Sequence, residues 1–379
     1  MSMSVEQTLA ELVAIDSTSS RPNAEIIRLL AGRVEALGMR VRLFPYADER
    51  GVEKVQLVAY APQETDDVEI VLVGHTDTVP FDPAWEGALK LEERDGKLYG
   101  RGACDTKGFI AAALAALESF DLKALRRPLA LVLTADEEVG CLGAKRLAEA
   151  RPFRARHAVV GEPTSLQPMR AGKGYCLAEV VVRGREAHSA YPHLGASAVT
   201  RAARLITRVE RVAEELKERG HEAFDPPHTT VNVGLVSGGT AKNIIAGECR
   251  FTLEWRPVPG QRPELVAELV KREIEDLRAV EPDFDAALEV SRLDGGVETP
   301  PDAPLVRALE GLTGRAAGTI SFGTEAPQMR ELGAAAVVFG PGDIRVAHRT
   351  GEFVPAGELR AAASILRAVI ERFCARGHQ

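Results

Sequence analysis

The chain has 379 residues, too many for one ordinary core, and 45% hydrophobic with 27% charged side chains is the make-up of a globular protein in water. A formal net charge of -8 argues against a phosphate-binding surface, and so against nucleic acid as partner. No apolar stretch approaches the roughly 20 residues of a membrane span, and no basic, long-apolar leader is visible, so neither a membrane partner nor secretion is expected; five cysteines without close pairing read as reduced thiols of a cytoplasmic protein.

In chain order, Ser4 with Gln7 three residues on predicts a capped first helix. Asn23 is the expected cap of a second helix that ends at Gly38. Strands are expected at Arg40–Tyr46, Val52–Tyr60 and Val68–Val73. The last of these runs into Val-Leu-Val-Gly-His-Thr-Asp-Thr-Val-Pro (71–80). There His75 and Asp77 share one side of an extended chain just past a strand end. Lys97–Tyr99 then leads to Gly-Arg-Gly-Ala-Cys-Asp-Thr-Lys-Gly (100–108) and an Ala-rich helix to about Phe120. A buried strand Leu129–Thr134 precedes Ala-Asp-Glu-Glu-Val-Gly (135–140) and a helix over Leu142–Ala150. His157–Val160 is a strand ending at Gly-Glu-Pro-Thr (161–164).

From Tyr175 the pattern changes. Strand Tyr175–Val182, helix Ala196–Glu218, strands Thr230–Val236 and Glu248–Trp255, helix Glu264–Val280 and strand Phe284–Val290 follow the β-α-β-β-α-β order of a ferredoxin-like unit. A helix at Asp302–Leu312, a strand at Ala335–Phe339 and a helix at Glu358–Arg376 then resume the first style. The expected fold is α/β: a mixed-sheet catalytic domain with helices on both faces (1–174 and 292–379), interrupted by an α+β domain (175–291).

Repeated strands with acid-bearing turns collect polar groups at one sheet edge, where open α/β sheets bind ligands. His75, Asp105, Glu138, Glu162 and the late His348 are candidate ligands, a donor set suited to zinc or a similar divalent ion. Three carboxylates about 4 Å apart would repel by about 4 kcal/mol per pair at an effective dielectric of about 20, about 12 kcal/mol in all. That rivals a whole domain's stability, and divalent cations would relieve it. Two such ions carry four positive charges, which three carboxylates and one hydroxide balance. Gly100-Arg101-Gly102 is not read as a dinucleotide loop, because Asp105 stands where the third glycine belongs.

In combination, the motifs at 74–77, 100–108, 134–140 and 161–164 and His348 resemble the co-catalytic zinc amidohydrolase superfamily of carboxypeptidase G, aminoacylase, succinyl-diaminopimelate desuccinylase and acetylornithine deacetylase. The resemblance spans nearly the whole chain. It implies that Asp105 bridges two zinc ions (or cobalt), with His75 and Glu162 on one and Glu138 and His348 on the other. It further implies Glu137 as general base for a metal-bound hydroxide and then as acid, and Asp77 as the group that orients His75. By the same resemblance the inserted domain is a lid and makes a homodimer, and His188 in Gly-Arg-Glu-Ala-His-Ser (184–189) reaches the partner's site to stabilise an oxyanion. Asn243 and Arg256 match positions that hold the substrate carboxylate.

The stretches at 161–168, 172–175, 321–327 and 340–343 look most like the acetylornithine deacetylases. They imply hydrolysis of N-acetyl-ornithine, an arginine-biosynthesis step, with a desuccinylase or another N-acyl-amino-acid deacylase as the alternative. A non-catalytic binder of amino-acid derivatives on the same scaffold would be expected to lack the base or a ligand. Two stretches depart from the deacetylase pattern: Tyr175 replaces a usual histidine, and Arg349-Thr350-Gly351-Glu352 replaces Gln-Pro-Asp-Glu.

Overall fold

The structure is a computed structural model that describes residues 3–375. The chain divides into two compact units, the first formed by residues up to Arg170 with Thr299–Gly318 and the segment from Thr324 onward, the second by Ala171–Glu298 with Thr319–Gly323. The second is therefore an insertion in the chain of the first. Its limits lie at 171 and 298 rather than at the expected 175 and 291.

The first unit is built on a mixed sheet. Strands Arg40–Ala47, Glu53–Ala61 and Leu129–Thr134 pair antiparallel in that order. Leu129–Thr134, Asp67–His75, Arg154–Val160 and Ala335–Val338 then lie side by side and parallel. Both faces of this centre are covered. Leu57, Ile70, Leu72, Leu129, Leu131 and Leu133 join one large core with the helices Val5–Val13, Lys107–Leu117 and Ala356–Ile370. The alternate residues Val58, Tyr60, Val71, Val73, Ala130 and Val132 are equally buried on the other side. Uninterrupted apolar runs are what two-sided burial requires of a parallel strand. No helix among the described residues is long and apolar enough to cross a membrane.

Two local expectations meet different outcomes. Ser4 accepts from the Gln7 backbone N–H while Gln7 Oε1 accepts from Ser4 N, a complete capping box. Asn23 precedes the helix Ala24–Ala36 but does not cap it. Its side chain instead exchanges two 2.8 Å hydrogen bonds with the backbone of Val55, tying the helix start to a strand 32 residues away. The last helix ends at Ile370 and continues as a π-turn to Ala375; Arg376, the expected end, lies outside the described residues.

The second unit is a four-stranded antiparallel sheet in the order Thr230–Gly238, Glu248–Arg256, Tyr175–Arg183, Asp285–Asp294. The helices Ala198–Leu216 and Leu265–Val280 pack on one face, over Val180, Phe251, Leu253 and Trp255. That is the strand order of a ferredoxin-like unit. The last strand runs past the expected Val290 because a bulge between Val290 and Arg292 lets pairing continue to Asp294.

Candidate metal centre

The four parallel strands end together, and the residues that follow them meet. His75 closes the strand Asp67–His75, Glu138 lies in the turn after Thr134, Glu162 follows Val160, and His348 follows the strand Ala335–Val338. Asp105 comes from the loop that enters the helix Lys107–Leu117. His75 Nε2 lies 3.1 Å from Asp105 Oδ1, and His348 Nε2 lies 3.1 Å from Asp105 Oδ2 and 3.0 Å from Glu138 Oε2. Two overlapping clusters result: His75, Asp105 and Glu162, and Asp105, Glu138 and His348, each with its ligand atoms within 4.8 Å of one another. Asp105 belongs to both and offers a different oxygen to each.

The backbone near Glu162 leaves no room for side chains. A Cβ on Gly161 would stand 2.1 Å from Phe109 Cδ1, and one on Gly340 would stand 2.6 Å from the Glu162 carbonyl oxygen. Glycine on both sides lets the turn sink into the sheet end, where Glu162 is 4% exposed.

Charge in this cluster is distributed unequally. Burial alone would raise the Asp105 pKa, but hydrogen bonds from His348 and His75 hold it well below the usual carboxylate range. Burial also opposes charge on His75, and Asp105 overrides it, so the imidazole pKa rises well above its ordinary value. Contacts with Asp105 and Glu138 take His348 up to about 10. Burial, reinforced by Asp105 and Glu137, pushes Glu162 far up. A field that favours imidazolium also favours a divalent cation between the same atoms. Glu138 Oε1, buried without a hydrogen-bond partner, is a further donor such an ion would satisfy. The residues therefore fit divalent-cation binding, with Asp105 common to both clusters.

Glu137 stands in neither cluster. Burial, and repulsion from Glu138, Glu325 and Asp105 against attraction to His75, raise its pKa to about 8. The Cys141 thiol donates to its Oε1 at 3.3 Å. Asp77 is placed differently from the expectation. Its carboxylate is 3.7 Å from His75 Nδ1, beyond hydrogen-bond reach, and it is the Asp77 backbone carbonyl, at 2.9 Å, that accepts from that nitrogen. This bond fixes the tautomer and leaves Nε2 free for a cation. The carboxylate instead accepts the backbone N–H groups of Glu137 at 3.1 Å and Glu138 at 3.3 Å, and the Ser19 hydroxyl at 2.8 Å.

Two further acids went unassigned in the sequence. Glu352 is 1% exposed, pairs with Arg101 at 2.6 Å and accepts the N–H groups of Cys104 at 2.9 Å and Asp105 at 3.1 Å. It arrives there because Phe353–Pro355 pairs antiparallel with Lys97–Tyr99, just before the Asp105 loop. Glu325, also 1% exposed, has its pKa raised by burial to about 7 beside His75 and Asp77. Their places in the stretches 321–327 and 349–352 are the only signal the sequence carries for them.

His188, Asn243 and Arg256 belong to the second unit. The chains of His188 and Asn243 adjoin, through a bridge between His188 and Ile244 and a 3.0 Å bond from Ser189 N to the Asn243 carbonyl; His188 is exposed. Arg256 ends the strand Glu248–Arg256, with its guanidinium 4.5 Å from the Tyr175 ring centroid. Arg292 is 4.5 Å from the same centroid.

A strand-end cluster of two histidines and three carboxylates, one of them shared, with a separate protonatable glutamate alongside, defines a metal-dependent amidohydrolase. Residues 71–372 match the model of peptidase family M20/M25/M40, and the chain belongs to that family. It is 56% identical to an acetylornithine deacetylase of Myxococcus xanthus over 97% of both chains. To the acetylornithine deacetylase of Klebsiella pneumoniae (strain 342) it is 36% identical, over 95% of this chain and 94% of that one. Among solved structures, a tripeptidase from Staphylococcus aureus superposes with a TM-score of 0.79 at 25% identity, covering 97% of each chain. An M20 family metallo-carboxypeptidase from Sulfolobus solfataricus shares the fold with a TM-score of 0.77 at 19% identity, covering 98% of this chain and 99% of that one.

Proposed function

We propose that this protein hydrolyses the acetyl amide of N-acetyl-ornithine to acetate and ornithine, a step of arginine biosynthesis in the cytoplasm. The observation that carries the reading is the sharing of Asp105 between two ligand clusters beside an uncommitted Glu137, in a chain 56% identical over nearly its whole length to an acetylornithine deacetylase. His75, Asp105 and Glu162 would hold one zinc ion, and Asp105, Glu138 and His348 the other, with cobalt as a working substitute. When bound, such ions polarise the amide carbonyl and lower the pKa of water from about 15.7 to about 7.

Glu137 then takes a proton from the attacking water as its oxygen bonds to the acetyl carbon. It returns that proton to the ornithine nitrogen as the C–N bond breaks. A pKa raised toward neutrality suits a group that must both accept and release a proton. Arg256, with Asn243, binds the substrate α-carboxylate, a task for which a guanidinium fork is suited. His188 from a second copy of the chain hydrogen-bonds the developing oxyanion. The second unit supplies the dimer contact as well as closure over substrate. Supporting the dimer, its edge strand Thr230–Gly238 exposes Leu235 (71%) and Val236 (57%), an apolar edge of the kind that needs a partner.

The test is acetate release by the zinc- or cobalt-loaded protein, across acetyl, succinyl and formyl derivatives of ornithine and other amino acids. Preferred turnover of N-acetyl-ornithine is expected. Preferred turnover of a succinyl substrate would refute the acyl group and point to a desuccinylase. No turnover of any amide would refute the reading altogether.

A further inference from the structure

Beneath the Glu137–Glu138 turn lies a buried charge pair that none of the ligand or base assignments uses. Lys54 and Asp136 are each 1% exposed, and Lys54 Nζ is 3.0 Å from Asp136 Oδ1. The Tyr46 hydroxyl donates to Asp136 Oδ2 at 2.8 Å. Lys54 also donates to the carbonyls of Ser19 and Arg21, both at 2.7 Å. Ser19 Oγ in turn donates to Asp77, the residue whose carboxylate receives the N–H groups of Glu137 and Glu138. One ammonium thus ties together both ends of the support under the proposed base: Asp136 directly, and Asp77 through the 19–21 loop.

The backbone at Asp136 explains why the turn needs holding. Asp136 has φ +58, in the left-handed region, and its carbonyl accepts Leu142 N at 3.0 Å. The Glu137 carbonyl accepts Gly140 N and Cys141 N, each at 2.9 Å. The chain reverses there within a few residues, with a non-glycine residue in a conformation that L side chains rarely adopt. For stability alone, a buried ion pair gives little advantage over apolar side chains of similar size. A fully buried lysine surrounded by three oxygens is better explained by geometry than by stability.

We propose that the Lys54–Asp136 pair is a positioning device for Glu137: it sets the strained turn that aims the base, while taking no part in metal or substrate binding. The inference rests on the proposed role of Glu137. Its test compares Lys54→Met, Asp136→Asn and the double variant, each loaded with zinc, by kcat, KM, bound metal and Tm. Each single change is expected to lower kcat by about 10- to 100-fold, the range typical of groups that orient catalytic residues, with KM and metal content held. Each single change also lowers Tm, since it leaves one buried charge unmatched. The double variant removes both charges and is expected to regain Tm but not kcat, which a merely structural role would restore together with Tm. A double variant with wild-type kcat overturns the proposal, and so does a loss confined to KM or to bound metal. Glu137→Gln separates the two claims: if it keeps full turnover, Glu137 is not the base and this inference falls with it. If it abolishes turnover while the double variant does not lower kcat, only the inference falls.

Discussion

Replacing Asp77 by Ala separates two jobs that its position in Gly-His-Thr-Asp merges. The change removes the acceptor of three hydrogen bonds, from Ser19 Oγ, Glu137 N and Glu138 N. The two backbone donors cannot leave, and each poorly solvated donor left unpaired costs about 1–3 kcal/mol, so about 2–6 kcal/mol of local stability is lost. The bond to His75 survives, because it is made by the Asp77 backbone carbonyl, which alanine keeps. The damage should therefore fall on the turn bearing Glu137 and not on the imidazole. A lowered kcat of about 10- to 100-fold is expected, equivalent to about 1.4–2.7 kcal/mol in the barrier. Metal content after dialysis against a chelator-buffered solution should match the unchanged protein. Asp77→Asn, which keeps one acceptor oxygen but turns an amide N–H toward the other donors, should fall between the two. Loss of metal with a proportionate loss of activity would show that the carboxylate serves His75 after all; unchanged kcat would show that the Glu137 turn holds itself.

Glu137→Gln should keep its bound metal, since Glu137 lies in neither candidate ligand cluster, yet lose about 10²- to 10⁴-fold in kcat; metal analysis beside steady-state kinetics checks both parts. Arg256 is stacked on Tyr175, which Arg292 stacks on in turn, so Tyr175→Ala should loosen Arg256 by about 1–2 kcal/mol and raise KM about 5- to 30-fold with kcat held. Tyr175→Phe keeps the ring and should change KM little, and equal effects of the two substitutions would remove stacking from the explanation. Mixed dimers of a His188→Ala chain with a Glu137→Ala chain should recover part of the activity that neither parent has, because one of the two sites would then have both residues unsubstituted, Glu137 from one chain and His188 from the other; verified mixed dimers without recovery would count against a trans role.

The candidate ligand positions His75, Glu138 and Glu162 were readable because each ends or closely follows a buried apolar strand, and a strand that ends in a polar turn announces both its direction and its edge. The strand Leu129–Thr134 and the helix Leu142–Ala150 fall where the pattern put them, flanking the Glu137–Glu138 turn. What pattern cannot convey is which backbone atom faces a side chain. His75 and Asp77 share a side in an extended chain, but the chain leaves the strand at His75, and the carbonyl comes closer than the carboxylate. Asn23 has the residue type and place of a cap, yet a strand 32 residues on offers it two bonds at once, and the long-range partner wins. Glu352 supports the Asp105 loop from 247 residues away, and Lys54 reaches Asp136 from the strand paired with Leu129–Thr134. Such partners carry no local spacing and exist only once strands have paired.

The same supporting groups bear on how one site keeps several acids in different states. Asp105 accepts from both imidazoles and stays charged, whereas Glu137 and Glu325, without an imidazole bond, are pushed to about 8 and about 7. Bonds from both imidazoles outweigh burial at Asp105, whereas burial dominates at Glu137, Glu138, Glu162 and Glu325, so their pKa values rise while that of Asp105 falls. What sets Glu137 apart from the candidate ligands is its place outside both clusters. Asp77 on its backbone amide, Cys141 on its carboxylate and Asp136 at the turn before it all hold Glu137 in that place. The chemistry therefore depends on the second layer of residues as much as on the ligands, because the first layer alone does not distinguish a base from a sixth ligand.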